Sequence, residues 1–188
     1  MKIETSELHE LFHELFTAIE NQNISIPEAI ARIKGKEQIK DGEENITLTV
    51  DYSRTVEQMI AGGNYGWAND DITEKNFPLP TELLGKKITA STKLFHFDRR
   101  ISSKDAISEM NKAGYRPASL PELLALGEIH PELQKDFPIV ALGSVWCGED
   151  GHRDVPVLTF NDSRRELYLG WLDYHDWDDY CRFFGVRK

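Results

Sequence analysis

Apolar positions recur in two different rhythms along this chain, and the switch between them predicts its elements. Over 7–19, Leu8, Leu11, Phe12, Leu15, Phe16 and Ile19 fall at helical spacing. Ser25, Pro27 and Glu28 form a second helix start, with Ile30 and Ile33 carrying the stripe to Gly35. The rhythm then changes to period two in Ile46-Thr-Leu-Thr-Val-Asp-Tyr52, which predicts a strand. Ser53 is the expected cap of a short helix through Val56, Met59 and Ile60, and residues 64–71 read as loop.

From residue 88 the pattern is denser. Ile88–Phe97 reads as a strand, followed by helices starting at Ser102 and Ser119, each with an acidic residue three places on. Ile107 and Met110 are expected to face inward, and Gly114 to end the first of these helices. Four strands follow at Ile139–Trp146, Val155–Phe160, Glu166–Trp171 and Arg182–Val186, with turns at Gly148–Gly151 and Asn161–Ser163. The organisation predicted is a helical extension over 1–42, a strand–helix segment over 43–87 and a domain over 88–188.

Several motifs in that last region carry a resemblance. Gly114-Tyr-Arg-Pro-Ala-Ser-Leu-Pro-Glu-Leu, then Ser144-Val-Trp146, then Cys181-Arg-Phe-Phe-Gly-Val-Arg187 stand in the order found in formylglycine-generating-enzyme-like (sulfatase-modifying-factor-type) domains. Region 88–188 therefore resembles these and related bacterial C-type-lectin-like domains. The run 63–70 and the chain as a whole are similar to a bacterial family without an assigned activity. The resemblance implies an α+β protein with a small mixed C-type-lectin-like sheet and two helices, preceded by the helical extension. It also implies that the strand near Leu94–Phe97 pairs antiparallel with that at Arg182–Val186, with Gly185 allowing close approach and Trp146 filling the core. It carries fold more than chemistry: the Glu-Pro-Asn, Gln-Pro-Asp and Trp-Asn-Asp calcium motifs of carbohydrate-binding lectins do not occur in this region. Retroelement-diversified receptor-binding proteins use the same architecture and concentrate Tyr, Asn, Asp, Ser and His near the C-terminus, as residues 161–180 do here.

Composition narrows the function classes. A net charge of -10 disfavours a phosphate-binding surface, so no nucleic acid is expected. No apolar run approaches the ~20 residues of a membrane span. The first residues lack the features of a cleaved leader, so a cytoplasmic protein, or one exported by another route, is expected. Cys147 and Cys181 have no metal-ligand spacing and read as two buried thiols in a reducing compartment, with spatial proximity left open.

The candidate chemistry lies near the end of the chain. Trp171, Tyr174, His175, Trp177 and Tyr180 are the candidate ligand-binding residues, since Trp and Tyr on loops give large contact area at little entropic cost. The competing expectation is a Trp-anchored loop packed on its own domain. Asp173, Asp176, Asp178 and Asp179 interleave with them and are a candidate oxygen-ligand set for calcium, in no EF-hand spacing; no other cofactor is expected. Arg116, Arg182 and Arg187 are expected to be structural, and Arg99-Arg100 and Arg164-Arg165 solvated. His9-Glu-Leu-Phe-His13 matches a zinc-protease pattern but lies on a strongly amphipathic helix beside its apolar stripe, so it reads as a surface helix.

The leading expectation is a non-enzymatic binding module that presents aromatic and acidic C-terminal loops to a protein or small-molecule ligand. One alternative is a divergent metal-dependent enzyme using Cys147/Cys181 or the loop 173–179. Another is an assembly protein that forms a homo-oligomer through residues 7–34.

Overall fold

Among the described residues of the computed structural model every strand joins one nine-stranded mixed sheet, which overturns the small two-helix sheet expected from the C-type-lectin-like resemblance. The structure describes residues 45–148, 151–173 and 176–188. The helical extension over 1–42, with His9, Glu10 and His13, and the oligomerisation surface at 7–34 lie outside the described residues.

The elements are β1 (Ile46–Asp51), α1 (Val56–Gly63), β2 (Trp67–Ala68), β3 (Lys87–Phe95), α2 (Ser103–Lys112), β4 (Tyr115–Pro117) and α3 (Leu120–Ile129). They continue with α4 (Leu133–Asp136), β5 (Ile139–Val140), β6 (Trp146–Cys147), β7 (Arg153–Asn161), β8 (Arg164–Trp171) and β9 (Arg182–Arg187). The sheet order is β1-β3-β9-β5-β7-β8-β2, with β4 added beside β9 and β6 beside β7.

The sheet outgrew expectation because strands otherwise left with bare edges take up short partners, each satisfying backbone groups. β1 pairs antiparallel with β3 from Ile46↔Thr92 to Asp51↔Lys87. Trp67–Ala68, read from the sequence as loop, pairs parallel with Glu166–Leu167 of β8. The expected closure of the chain is present: β3 pairs antiparallel with β9, from Thr92↔Val186 to Phe95↔Phe183. β9 is bonded on its other edge to β5 and β4, which makes it an interior strand with three partners.

The expected strand Ile139–Trp146 is instead two short ones, β5 and β6. Between them the chain clamps the start of α3: the Gly143 N–H donates to the Ala118 carbonyl (2.8 Å) and the Leu120 N–H to Ser144 Oγ (2.9 Å). A side chain at 143 would stand 2.6 Å from that same carbonyl oxygen, so the turn requires glycine. Trp146, expected in the core, is half-buried on β6 as a result.

The helix starts follow their sequence signals with one displacement. Ser102 caps α2 and Ser119 forms a capping box with Glu122 at α3. At α1 the cap is Thr55, not Ser53; the Ser53 N–H and hydroxyl both donate to Asp51 Oδ1 (3.0 and 2.6 Å) and tighten the turn out of β1. Gly114 takes a left-handed φ of 84°, one residue beyond the α2 cap Ala113.

Register divides the side chains between two faces. On one, Ile46, Leu48, Val50, Leu94, Phe184, Ile139, Leu158 and Leu167 are all buried beneath α1 and α3. On the other, Phe183, Val140, Val155 and Val157 form a core cluster with Ile101, Ala106 and Met110, the last two from α2. Gly185 lets Met110 and Phe95 come to within about 3 Å of where a Cβ would stand. This second face is covered only at its middle; at one end it shows Thr47, Thr49 and Thr89, at the other Thr159, Tyr168 and Glu166. No helix among the described residues is long and apolar enough to cross a membrane.

Candidate functional site

β7 and β8 form a hairpin closed by Asp162 and Ser163, both at positive φ (45° and 63°), as a two-residue hairpin turn demands. On its partly covered face, period two places Val157 and Thr159 beside Tyr168 and Glu166. Beyond Trp171 the chain returns over this face along 176–181. A groove of about 510 Å³ lies between the hairpin and the returning segment.

Trp177 holds the returning segment in place. Its backbone exchanges two hydrogen bonds with Ile101 (2.9 and 3.1 Å), and its indole N–H donates to Ser103 Oγ (2.8 Å). Ser103 Oγ itself donates to the Leu172 carbonyl (2.7 Å), tying α2 to the end of β8. The indole meets Phe183 edge-on at 6.2 Å and lies over Gly170, where a side chain would stand 2.8 Å from the ring. Trp177 is therefore an anchor packed on its own domain, and it walls the groove.

The other sequence-derived candidates divide. Trp171 and Tyr180 are exposed, at 43% and 56%, and both line the groove. Trp171 also stacks on His152 at 5.3 Å. Tyr174 and His175 lie outside the described residues. Asp176 and Asp178 line the groove, and Asp178 pairs with Arg100 at 3.4 Å, so Arg100 is not simply solvated. Asp179 is exposed, and its carbonyl meets His96 Nε2 at 2.8 Å. Asp173 points elsewhere and pairs with Arg153 at 2.6 Å. Among the described residues no group of three or more His, Cys, Asp or Glu is placed to hold a metal ion.

Three contributors were missed in the sequence. Tyr168 is 44% exposed at the groove. Glu166 is nearly buried there, held by Arg164 Nε at 2.6 Å. Thr159 lies opposite Glu166. The alternation Arg164, Glu166, Tyr168 within an apolar strand was the available signal, since it marks one polar face.

Arg165 corrects a further expectation. Rather than solvated, it is half-buried and aims at the ends of two helices, donating to the Gly63 carbonyl and, at 2.5 Å, to the Gly127 carbonyl. A guanidinium there satisfies carbonyls that helix ends leave open and matches the negative end of the helix dipole. Its Nε donates to Gln134 Oε1 (3.0 Å) and its plane lies 4.8 Å from the Tyr65 ring. Burial pulls its pKa down, and burial likewise pushes the Tyr65 phenol well up. Of the arginines expected to be structural, Arg116 pairs with Glu122 (2.6 Å) and Arg182 is buried 4.6 Å over the Phe137 ring, while Arg187 is exposed.

Both cysteines are free, and they are not alike. Cys181 is buried in the core cluster, where loss of solvation pushes its thiol up to about 11. Cys147, expected to be buried, is exposed because β6 is a short edge piece. It lines a separate hollow of about 310 Å³ with His152, Arg153, Trp171 and Asp173. No family model, curated protein or solved structure matches the chain.

Proposed function

We propose that the protein is a non-enzymatic binding module whose ligand lies in the groove between the β7–β8 hairpin and residues 176–181. The ligand is a protein or small molecule that offers a cationic group flanked by apolar surface. The observation that carries this reading is the lining itself. Tyr168, Trp171 and Tyr180 are exposed beside Glu166, Asp176 and Asp178, and among the described residues no Lys, Arg or His lines the groove. Its volume, about 510 Å³, falls in the range of sites that enclose small molecules or a few side chains. An ammonium or guanidinium group gains both from carboxylate acceptors and from the faces of aromatic rings. Arg164 and Arg100 already partner Glu166 and Asp178, which orients those carboxylates and, among the described residues, leaves Asp176 as the groove carboxylate with no ion pair.

The test is a tryptophan-fluorescence titration with arginine ethyl ester and with spermidine, since Trp171 and Trp177 both line the groove. A saturable change is expected in the parent and a large loss of affinity in Tyr168→Ala and Asp176→Asn. A parent that ignores both cations, or variants that bind as the parent does, would end this reading.

A further inference from the structure

The two edges of the sheet differ. β2 contributes only Trp67–Ala68 and is too short to template another strand. β1 is six residues long and holds no proline, lysine or glycine, and its register with β3 runs without a bulge. Its own residues lack the proline, lysine and bulge that often guard an edge, and among the described residues no element pairs with it on that side.

The direction of its free backbone groups follows from one bond. The Tyr52 N–H donates to the Lys86 carbonyl (2.8 Å), in register with the β1–β3 ladder. In an antiparallel pair, bonded positions alternate along each strand. The even residues Ile46, Leu48 and Val50 thus bond to β3, and the odd residues Thr47 and Thr49 aim their N–H and C=O groups outward. Among the described residues those outward groups have no partner, and both threonines are exposed.

The edge is also self-complementary. Around Leu48 the strand reads Ile-Thr-Leu-Thr-Val, the same in either direction by side-chain class. We propose that two copies of this chain pair antiparallel through β1, about a two-fold axis at Leu48, joining their sheets edge to edge. Thr47 then faces Thr49 of the second copy, and each such pair exchanges both of its N–H···O bonds. The same patch serves both subunits, as a closed two-fold contact requires. Ile46 comes opposite Val50 of the second copy on the helix-covered face, while the threonine pairs share the open face. No charge falls opposite a like charge, because Asp51 meets Asn45. The inference is independent of the groove, which lies at the other end of the sheet.

The experiment is solution mass by light scattering on the full chain, across a dilution series. The parent is expected to be a dimer. Thr47→Lys/Thr49→Lys sets like charges opposite each other in both cross-axis pairs and should weaken association by about tenfold or more. Thr47→Lys/Thr49→Glu sets opposite charges there and should restore the dimer. Thr49→Pro removes an outward donor that β3 does not use, so it should yield a monomer with its thermal transition retained. A monomeric parent overturns the proposal without any variant. A dimer that persists in the lysine pair and in the proline variant places association elsewhere in the chain and overturns it too.

Discussion

The two faces of the sheet are built from the same strands but serve different ends. One is buried over most of its length beneath α1 and α3, where Ile46, Leu48, Val50, Leu94, Ile139, Leu158, Leu167 and Phe184 pack. The other is covered only where α2 and Trp177 reach it. Past that cover the same alternation that buries Val155 and Val157 brings Thr159 and Tyr168 to the surface. A continuous cover makes a core, whereas an interrupted one makes a core with a groove at its margin. The candidate site is therefore the place where the second layer stops.

That contrast can be broken most severely at the strand both faces share. Truncation before Arg182 deletes β9, which is bonded to β3, β4 and β5. Residues 45–181 should then lose their cooperative thermal transition, an effect well beyond the ~0.5–3 kcal/mol of an ordinary substitution. A truncated protein that melts like the parent would show that the two faces do not depend on a common centre.

Cavity substitutions should rank the faces. Leu158→Ala on the covered face, at a side chain 1% exposed and packed beside Gly127, should cost about 2–5 kcal/mol in denaturant unfolding. Arg165→Met keeps the packed stem but abandons the Gly63 and Gly127 carbonyls, so about 1–3 kcal/mol should be lost. On the open face, Tyr168→Ala should change stability by no more than about 0.5 kcal/mol while removing cation binding. A costly Tyr168→Ala together with a neutral Leu158→Ala would invert the assignment of the faces.

The cysteines give the finest comparison. Iodoacetamide followed by intact mass should label Cys147 readily and leave Cys181 protected until the protein unfolds, because only the former thiol is exposed. Burial raises the Cys181 pKa in the folded state from 9.0 to about 11, so the fold favours the neutral thiol. That contribution is whole below about pH 9 and is lost as pH climbs through about 11, where the folded thiol ionises as well. Melting temperatures of the parent should accordingly fall more steeply over that window than those of Cys181→Ala. Parallel curves would remove Cys181 from the account.

Much of the local structure could be read from the residues alone. Alternation located β1 and short β-prone runs located β3, β7, β8 and β9, all to within a few residues, since strand geometry favours such runs. Serine followed by an acid three places on marked the starts of α2 and α3, because those caps are made within a single turn. The pairing of β3 with β9 was expected from the order of motifs that carries the family resemblance, and two short β-prone runs that each needed a partner agreed with it. The elements that escaped were those whose existence depends on a neighbour. Trp67–Ala68 is a strand only because β8 offers it an edge, and Ile139–Trp146 divides only because Gly143 and Ser144 are taken by the start of α3.

The candidate site divides along the same line. Sequence alone singled out Trp171, Trp177 and Tyr180 by type and position, because large aromatics among acidic residues near a chain end are visible without coordinates. It gave no sign of which would anchor and which would face solvent. Tertiary structure decided that, through a serine on α2 that accepts the Trp177 indole N–H and a glycine at 170 that makes room for the ring. It also brought Tyr168 and Glu166 to the groove and sent Arg165 to the helix ends on the opposite face. A residue's type limits what it can bond to; what it does bond to depends on the side chains and backbone that distant parts of the chain place beside it.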